Sequence, residues 1–184
     1  MYQPNRISWS YLKTWVRIYI LLLQKINDLH DKNRPTAWGE VRATQDLDLL
    51  SSSTAVSRLV KRLEKAGLRF DHRTGDPDNP IESVVRIEMG SAENPYEVDI
   101  LAGIRGAPPG ILDRVHAVEF RGLIIPVASP EDTVILKLLG GSARDLEDAL
   151  SILRIQGNRL SLRLIRDLCP EQTKETLNRL IALL

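Results

Sequence analysis

The first thirty positions of the chain carry apolar side chains at steps of three and four residues. This spacing places them on one side of a helix and predicts one amphipathic helix over residues 8 to 30. The apolar positions are Leu12, Trp15, Tyr19, Leu22, Leu23, Ile26 and Leu29. Pro35 ends the pattern, because proline disfavours helical geometry in the residue before it. We therefore treat residues 1 to 35 as an N-terminal helical segment.

The pattern changes to alternation over residues 46 to 50, where aspartate and leucine take turns. A period of two predicts a strand that has one face on a core. Serine and threonine at positions 51 to 54 can then cap an amphipathic helix, and Gly67 is a typical residue at its end. The apolar face of this helix consists of Val56, Leu59, Val60 and Leu63.

The middle of the chain is rich in predicted strands separated by glycine and proline. These strands are predicted at residues 68–70, 84–89, 96–101, 115–120 and 123–127. The segment from His72 to Pro80 has the composition of a loop. Because the turn between residues 89 and 96 is short, the two strands beside it are expected to pair antiparallel.

Helical patterns return after residue 128 and continue to the end of the chain. Ser129 as N-cap, Pro130 at the first helical position and the acidic pair Glu131–Asp132 form a strong start signal. Cys169–Pro170 marks a break between the last two helices. The sequence thus predicts an α+β fold with a strand-rich core over residues 36–128 and a C-terminal helical region over residues 129–184.

Composition narrows the range of partners. Lys and Arg number 25 against 24 Asp and Glu, so a formal net charge of +1 provides no long-range attraction to nucleic acid or anionic membrane. The single cysteine excludes an internal disulfide framework and a cysteine-rich zinc site. The apolar run over residues 18–23 is too short for a membrane span or a secretory signal. We therefore expect a cytoplasmic protein with no membrane partner.

The candidate chemistry lies in three aspartates. Asp46 and Asp48 are two positions apart on a predicted strand, so their side chains share a face, and Asp99 lies in another predicted strand. Neighbouring carboxylates repel each other unless a cation bridges them, and Mg²⁺ favours such oxygen ligands. Two ions about 4 Å apart can activate an attacking hydroxyl and neutralise a leaving pyrophosphate. The alternative is that the aspartates are solvated residues at strand ends.

Several segments resemble one protein family in the same order along the chain. The run Arg42-Ala43-Thr44-Gln45-Asp46-Leu47-Asp48 resembles the R-x-T-x-D-hydrophobic-D element of minimal nucleotidyltransferases in the polymerase-β-like superfamily. The resemblance is nearest to the abortive-infection-type toxins of type IV toxin–antitoxin systems and their uncharacterised relatives. Further matching segments are residues 75–81, 98–101, 125–132, 136–138 and 144–148.

The resemblance implies a nucleotidyltransferase-like mixed sheet flanked by helices, and it implies residue roles. Asp46, Asp48 and Asp99 would be catalytic ligands for one or two Mg²⁺ ions, while Thr44 and Lys137 would bind the nucleotide. The reaction would move a nucleoside monophosphate from a nucleoside triphosphate to a hydroxyl of an RNA such as tRNA, or of a protein. An antitoxin protein would be a further partner. For Lys137, a solvated helix face is the alternative.

One departure from the family affects the activity. Its members carry a Gly-Gly or Gly-Ser pair before the Asp-x-Asp, whose backbone N–H groups hold phosphates, and residues 30–39 contain no such pair. Three explanations are open. Another loop could bind the phosphates, the protein could be an inactive binding module, or the start of the sequence could come from a truncated or frame-shifted version of a normal gene. A nuclease site built from the same carboxylates is a third function.

Overall fold

The computed structural model describes residues 19–20, 46–90, 95–120 and 123–184. The described residues divide into two compact units, of which the first ends at Arg105 and the second begins at Gly106. Among the described residues, no helix has the length and apolar character that crossing a membrane requires. The predicted domain boundaries at residues 35 and 128 stay predictions.

The first unit is built on a mixed sheet. Its strands are β1 (Tyr19–Ile20), β2 (Asp46–Ser51), β3 (Asp71–Thr74), β4 (Ile81–Gly90) and β5 (Pro95–Ile104). Their order in the sheet is β3-β4-β5-β2-β1. Strand β2 runs parallel to β5, whereas β3–β4, β4–β5 and β1–β2 are antiparallel. The α+β fold with a mixed sheet is confirmed, as is the antiparallel pairing of β4 with β5.

Helix α1 (Ser53–Lys65) covers one face of this sheet. The Ser52 side chain accepts a hydrogen bond from the Ala55 N–H at 3.2 Å, which satisfies one of the unpaired donors of the first turn. The helix buries Val56, Leu59 and Leu63. On the facing strands the side chains of Leu49, Val85, Ile87, Val98 and Ile100 are all fully buried. Because side chains alternate along a strand, the polar residues between them lie on the opposite face.

Strand β3 forms one edge of the sheet, and all four of its side chains are exposed. The Arg73 guanidinium pairs with the Asp71 carboxylate at 2.7 Å. Two predictions are wrong here, because residues 68–70 are not a strand and the predicted loop from His72 overlaps β3. An exposed edge strand with polar side chains on both faces shows no alternation, so hydrophobic periodicity cannot detect it.

The helix predicted over residues 8 to 30 is wrong at Tyr19 and Ile20. These two residues form β1, in which Tyr19 pairs with Leu50 and Ile20 with Leu49. Aromatic and β-branched residues favour strands, and a short apolar run has the same appearance in a buried strand and a buried helix. The other residues of the predicted helix lie outside the described part of the chain.

The second unit combines a hairpin with helices. The hairpin strands β6 (Val115–Phe120) and β7 (Leu123–Ala128) pair antiparallel. The helices are α2 (Pro130–Gly140), α3 (Ala143–Gln156), α4 (Leu162–Leu168) and α5 (Glu171–Ile181), with a 3-10 turn at Gly157–Arg159. The predicted start at Ser129 is confirmed, because its hydroxyl accepts from the Asp132 N–H at 3.0 Å. The predicted break at Cys169–Pro170 is also confirmed.

The helices of the second unit enclose one apolar core. Its buried residues are Val134, Ile135, Leu138, Ala149, Ile152, Leu153, Leu160, Ile165, Cys169, Leu177 and Leu180. The spacing of Arg159, Arg163 and Arg166 in the sequence would put all three on one edge of a continuous helix, but they do not share a helix. Arg159 lies in the 3-10 turn and donates to the carbonyl of Ile155 at 3.0 Å, whereas the other two arginines belong to α4.

Candidate active site

Two of the predicted site residues are brought side by side by the parallel pairing of β2 with β5. In this register the Cα of Asp48 is the partner of the Cα of Asp99. Side chains at paired positions of neighbouring strands project to the same face, and the strands lie about 4.8 Å apart. Both residues alternate with the buried leucine and isoleucine positions that face α1, so they belong to the polar face. The sequence left open whether their strands are neighbours, and the register shows that they are.

The register places Asp46 beside Glu97 in the same pair of strands. Asp46 is therefore two positions before Asp48 on β2, as Glu97 is two positions before Asp99 on β5. The role predicted for Thr44 falls outside the described residues. A metal site made by Asp46, Asp48 and Asp99 together stays a prediction.

Arg86 of β4 holds the Asp99 carboxylate through both oxygens. Its Nε donates to Oδ1 at 2.7 Å and its Nη2 donates to Oδ2 at 2.7 Å. A third nitrogen, Nη1, lies 3.4 Å from an oxygen of Glu97. The Asp99 side chain is only 13% exposed, so this two-pronged contact is partly shielded from water. Charge-assisted bonds of this geometry are among the stronger hydrogen bonds in proteins.

The donor chemistry of this face fits a hard divalent cation. Asp48 and Asp99 offer carboxylate oxygens at paired positions, and each Asp99 oxygen has a second lone pair beyond the one that Arg86 uses. Within the described residues, no group of three His, Cys, Asp or Glu side chains is arranged to hold a metal ion. The side chain of Asp46 is not among those that the structure describes.

Lys137 of α2 lies between two carboxylates of α3. Its Nζ is 3.0 Å from Asp145 Oδ1 and 2.9 Å from Asp148 Oδ2. The lysine side chain is 11% exposed and that of Asp148 is 2% exposed, so a solvated helix face does not describe this residue. An ion-pair network is present at Asp145 and Asp148. A role of Lys137 in binding the nucleotide stays a prediction.

Asp145 is also part of the cap of α3. The Ser142 hydroxyl donates to its Oδ2 at 2.6 Å, while the Asp145 N–H donates to the Ser142 hydroxyl oxygen at 3.1 Å. Burial by itself raises the pKa of the Asp145 carboxyl, but the hydrogen bond from Ser142 and the contact with Lys137 outweigh it. The pKa of Asp145 is therefore below its ordinary value of 3.8.

A second buried carboxylate in the same unit was not singled out as a site by the sequence. Asp132 is fully buried, and Arg114 donates to its two oxygens at 3.0 and 2.6 Å. The Ser129 hydroxyl donates to the same carboxylate at 2.7 Å. These contacts tie the residues before β6 to the first turn of α2. The network is complete in hydrogen bonds and leaves no oxygen of Asp132 without a donor, which is typical of a structural pair.

Arg86 is the residue of the polar face that sequence reasoning missed, although the sequence contained a signal for it. Strands β4 and β5 form a hairpin in which Gly90 pairs with Pro95. Counting back from this turn by equal steps on each side brings Arg86 opposite Asp99. The antiparallel pairing had been predicted, so the contact could have been derived by fixing the register at the turn.

Comparisons with known proteins add a distant similarity of structure. No family model and no curated protein matches the chain. Solved structures similar to the chain include nucleotidyltransferases.

One is from H. pylori, proposed to be a nucleotidyltransferase, with 16% identity, a TM-score of 0.42 and coverage of 91% of this chain and 72% of that one. Another is ANT(2″)-Ia in complex with adenylyl-2″-tobramycin, with 16% identity, a TM-score of 0.45 and coverage of 76% and 80%.

A third is an antigenic nucleotidyltransferase-like protein from Paracoccidioides brasiliensis, with 16% identity and a TM-score of 0.39. That similarity covers 61% of this chain and 59% of that one. All three TM-scores are below 0.5, so these similarities do not bear on the activity of this chain.

Proposed function

We propose that this protein is a Mg²⁺-dependent nucleotidyltransferase that moves a nucleoside monophosphate from a nucleoside triphosphate to a hydroxyl group. The observation that carries the proposal is the parallel register of β2 and β5, in which Asp48 and Asp99 occupy paired positions on the polar face. Carboxylates from two adjacent strands suit a hard cation. The resemblance of residues 42–48 to the metal-binding element of minimal nucleotidyltransferases supports the same chemistry.

Under this proposal, Asp46, Asp48 and Asp99 are the residues that hold the cation. When bound, Mg²⁺ neutralises charge on the triphosphate and lowers the pKa of the attacking hydroxyl. The two-pronged contact from Arg86 fixes the orientation of the Asp99 carboxylate. On the grounds of sequence alone, Thr44 and Lys137 are assigned to nucleotide binding.

The acceptor belongs to the proposal as well. The family resemblance points to an RNA such as tRNA, or to a protein hydroxyl, and to a role as the toxin of a toxin–antitoxin pair with an antitoxin protein as partner. We place the reaction in the cytoplasm, where nucleoside triphosphates and tRNA are both abundant. The net charge of +1 means that an RNA acceptor would be recognised through local contacts rather than through a long-range field.

The test is a transfer assay with carboxylate variants that keep the shape of the side chain. The protein is incubated with each α-labelled nucleoside triphosphate, Mg²⁺ and total cell RNA, and label is followed in RNA and in protein. Asp48→Asn and Asp99→Asn are each expected to lower the rate at least about 10²-fold, because a developing charge loses its stabilisation. Asp167→Asn is the matched control, since Asp167 is an exposed carboxylate on α4.

Label that enters RNA or protein in the wild type and in Asp167→Asn, but not in the two site variants, supports the proposal. Equal transfer in all four proteins would contradict it, because the carboxylates would then be dispensable. Shortened RNA without gain of label would identify the same carboxylates as a nuclease site.

A second candidate function is a nucleotidyltransferase-like binding module without activity. It is favoured by the contacts of two predicted site residues, since both Asp99 oxygens accept from Arg86 and Lys137 lies between two carboxylates. The absence of a glycine pair in residues 30–39 points the same way. Absence of transfer, together with absence of Mg²⁺-dependent binding of a labelled triphosphate, would identify this function, with an antitoxin-like protein as its partner.

A further inference from the structure

Arg86 and Asp48 occupy the positions paired with Asp99 on the two strands that flank β5. The sheet order is β4-β5-β2, with Arg86 paired to Asp99 across β4–β5 and Asp48 paired to Asp99 across β2–β5. Asp99 is therefore the middle residue of a row that crosses three strands. A group on β4 that binds the Asp99 carboxylate therefore changes which lone pairs of Asp99 remain for a ligand on the β2 side.

The contact from Arg86 involves both carboxylate oxygens of Asp99. A guanidinium that meets a carboxylate with two parallel N–H donors takes one lone pair on each oxygen. Both of these distances are 2.7 Å, and 13% of the Asp99 side chain is exposed, against 44% for Arg86. Arg86 thus occupies one lone pair on each oxygen of the partly shielded Asp99 carboxylate.

A divalent cation at Asp99 would meet two costs that Arg86 imposes. It would have to bind through the remaining lone pairs or displace one arm of the guanidinium. In either arrangement the positive guanidinium would lie a few ångströms from the cation, and like charges at that distance repel each other. The guanidinium cannot lose its charge to relieve this repulsion, because arginine stays protonated in proteins.

We infer that Arg86 is a positioning residue that competes with the divalent cation for Asp99, so that it sets how tightly the polar face of β2 and β5 binds metal. This inference rests on the proposed function, since it concerns the same carboxylates. If Arg86 had only a structural role, its removal would not tighten metal binding. The proposed competition predicts that removal of Arg86 raises the affinity for metal, although a stabilising contact is lost.

The test measures the affinity for Mn²⁺ alone, by electron paramagnetic resonance of free Mn²⁺ and by calorimetry, without nucleotide or turnover. Arg86→Gln is expected to bind Mn²⁺ at least about tenfold more tightly than the wild type. Arg86→Lys, which keeps the charge but lacks the two-pronged donor, is expected to fall between them. Asp99→Asn in the Arg86→Gln background is expected to abolish the gain.

Arg73→Gln is the matched control, because it also removes one arginine that pairs with an aspartate of the same sheet, at 2.7 Å from Asp71. Its Mn²⁺ affinity is expected to equal that of the wild type. An equal gain in this control, an unchanged or weaker affinity in Arg86→Gln, or no Mn²⁺ binding in any variant would overturn the inference. If Arg86→Gln does not fold, Arg86→Lys decides the matter by the same criterion.

The two proposals fail separately. Transfer that is lost in Asp48→Asn, together with a Mn²⁺ affinity that Arg86→Gln does not raise, would leave the proposed function standing and remove the role of Arg86. A raised Mn²⁺ affinity in Arg86→Gln without any transfer would keep the competition and remove the transferase.

Discussion

Asp132 has no contact with solvent, and its charge is balanced inside the protein by Arg114. Among the described residues, removing the arginine leaves the Ser129 hydroxyl as the remaining donor to the buried carboxylate. We expect Arg114→Leu to lower the free energy of unfolding by about 3 kcal/mol, the lower end of the range for breaking a buried pair, because Arg114 is partly exposed. Urea denaturation measures this change.

The control for this prediction is Arg163→Leu. Arg163 and Asp167 are both well exposed and 3.7 Å apart on α4, so water and salt screen their attraction. This substitution is expected to leave the urea midpoint almost unchanged. Equal losses in the two variants would mean that burial of Asp132 is not the cause.

Gly103 in β5 illustrates a position where a single Cβ matters. Its φ is +65°, and an added Cβ would lie 2.7 Å from the Cβ of Glu82 on the neighbouring strand. We expect Gly103→Ala to cost about 2 to 3 kcal/mol of stability, because backbone strain and a steric clash act together. Thermal unfolding followed by circular dichroism measures the loss.

Gly67 provides the comparison, because it has a similar φ of +63° with nothing within 4 Å of an added Cβ. Gly67→Ala should show the conformational cost alone, about 1 kcal/mol. A loss as large as that of Gly103→Ala would show that the close approach to Glu82 contributes nothing.

At the scale of the helix, the cap of α3 makes stability depend on pH. The pKa of Asp145 is lower in the folded protein than its ordinary value of 3.8. Its contribution is therefore complete above about pH 4 and is lost as the pH falls through the lowered pKa. We expect Asp145→Asn to be less stable than the wild type at pH 7 by about 1 to 2 kcal/mol, through loss of the cap and the bond to Lys137.

Urea midpoints at pH 7, 5, 4 and 3 check this expectation. The difference between the two proteins should stay constant from pH 7 to 5 and shrink below pH 4, because the wild-type carboxyl then takes up its proton. A difference that is the same at pH 7 and pH 3 would mean that the charge of Asp145 does not contribute.

The sequence predicted those elements whose signals are local. The caps at Ser52 and Ser129 and the alternation in β2 depend on a few adjacent residues, so they could be read directly. The parallel pairing of β2 with β5 joins residues about fifty positions apart, and no local pattern encodes it. Polar β3 had no alternation, and the short run at Tyr19 and Ile20 fitted a helix as well as a strand.

The candidate site shows the same division. Asp48 and Asp99 could be selected as candidates because carboxylates inside an apolar strand pattern are uncommon. That the two residues lie beside each other is known only from the strand order of the sheet. The ion pair between Arg86 and Asp99 needed the register of one hairpin, which the turn supplied. The network of Lys137 with Asp145 and Asp148 joins two helices, and only the packing of α2 on α3 shows that it exists.

At the scale of the whole molecule, each compact unit has its own buried apolar residues. The core of the second unit can be tested by two substitutions in α3. Leu153 is 1% exposed and belongs to the core of the second unit, whereas Ile155 is 45% exposed. We expect Leu153→Ala to cost about 2 to 5 kcal/mol, because it removes buried apolar groups and leaves a cavity.

Ile155→Ala is the matched control in the same helix, and its cost should be much smaller because the side chain is already in contact with water. Guanidinium denaturation of both variants measures the two changes. Similar losses in both would contradict the assignment of Leu153 to the core.

The exposed strand β3 has a consequence for how copies of this protein behave in solution. A sheet edge offers unpaired backbone groups to which a strand of another molecule can add. Here the edge carries Asp71, His72, Arg73 and Thr74, all exposed and none of them apolar. A second copy that tried to extend the sheet would have to strip water from these side chains. The chain thus carries its own protection against growth into fibrils at this edge.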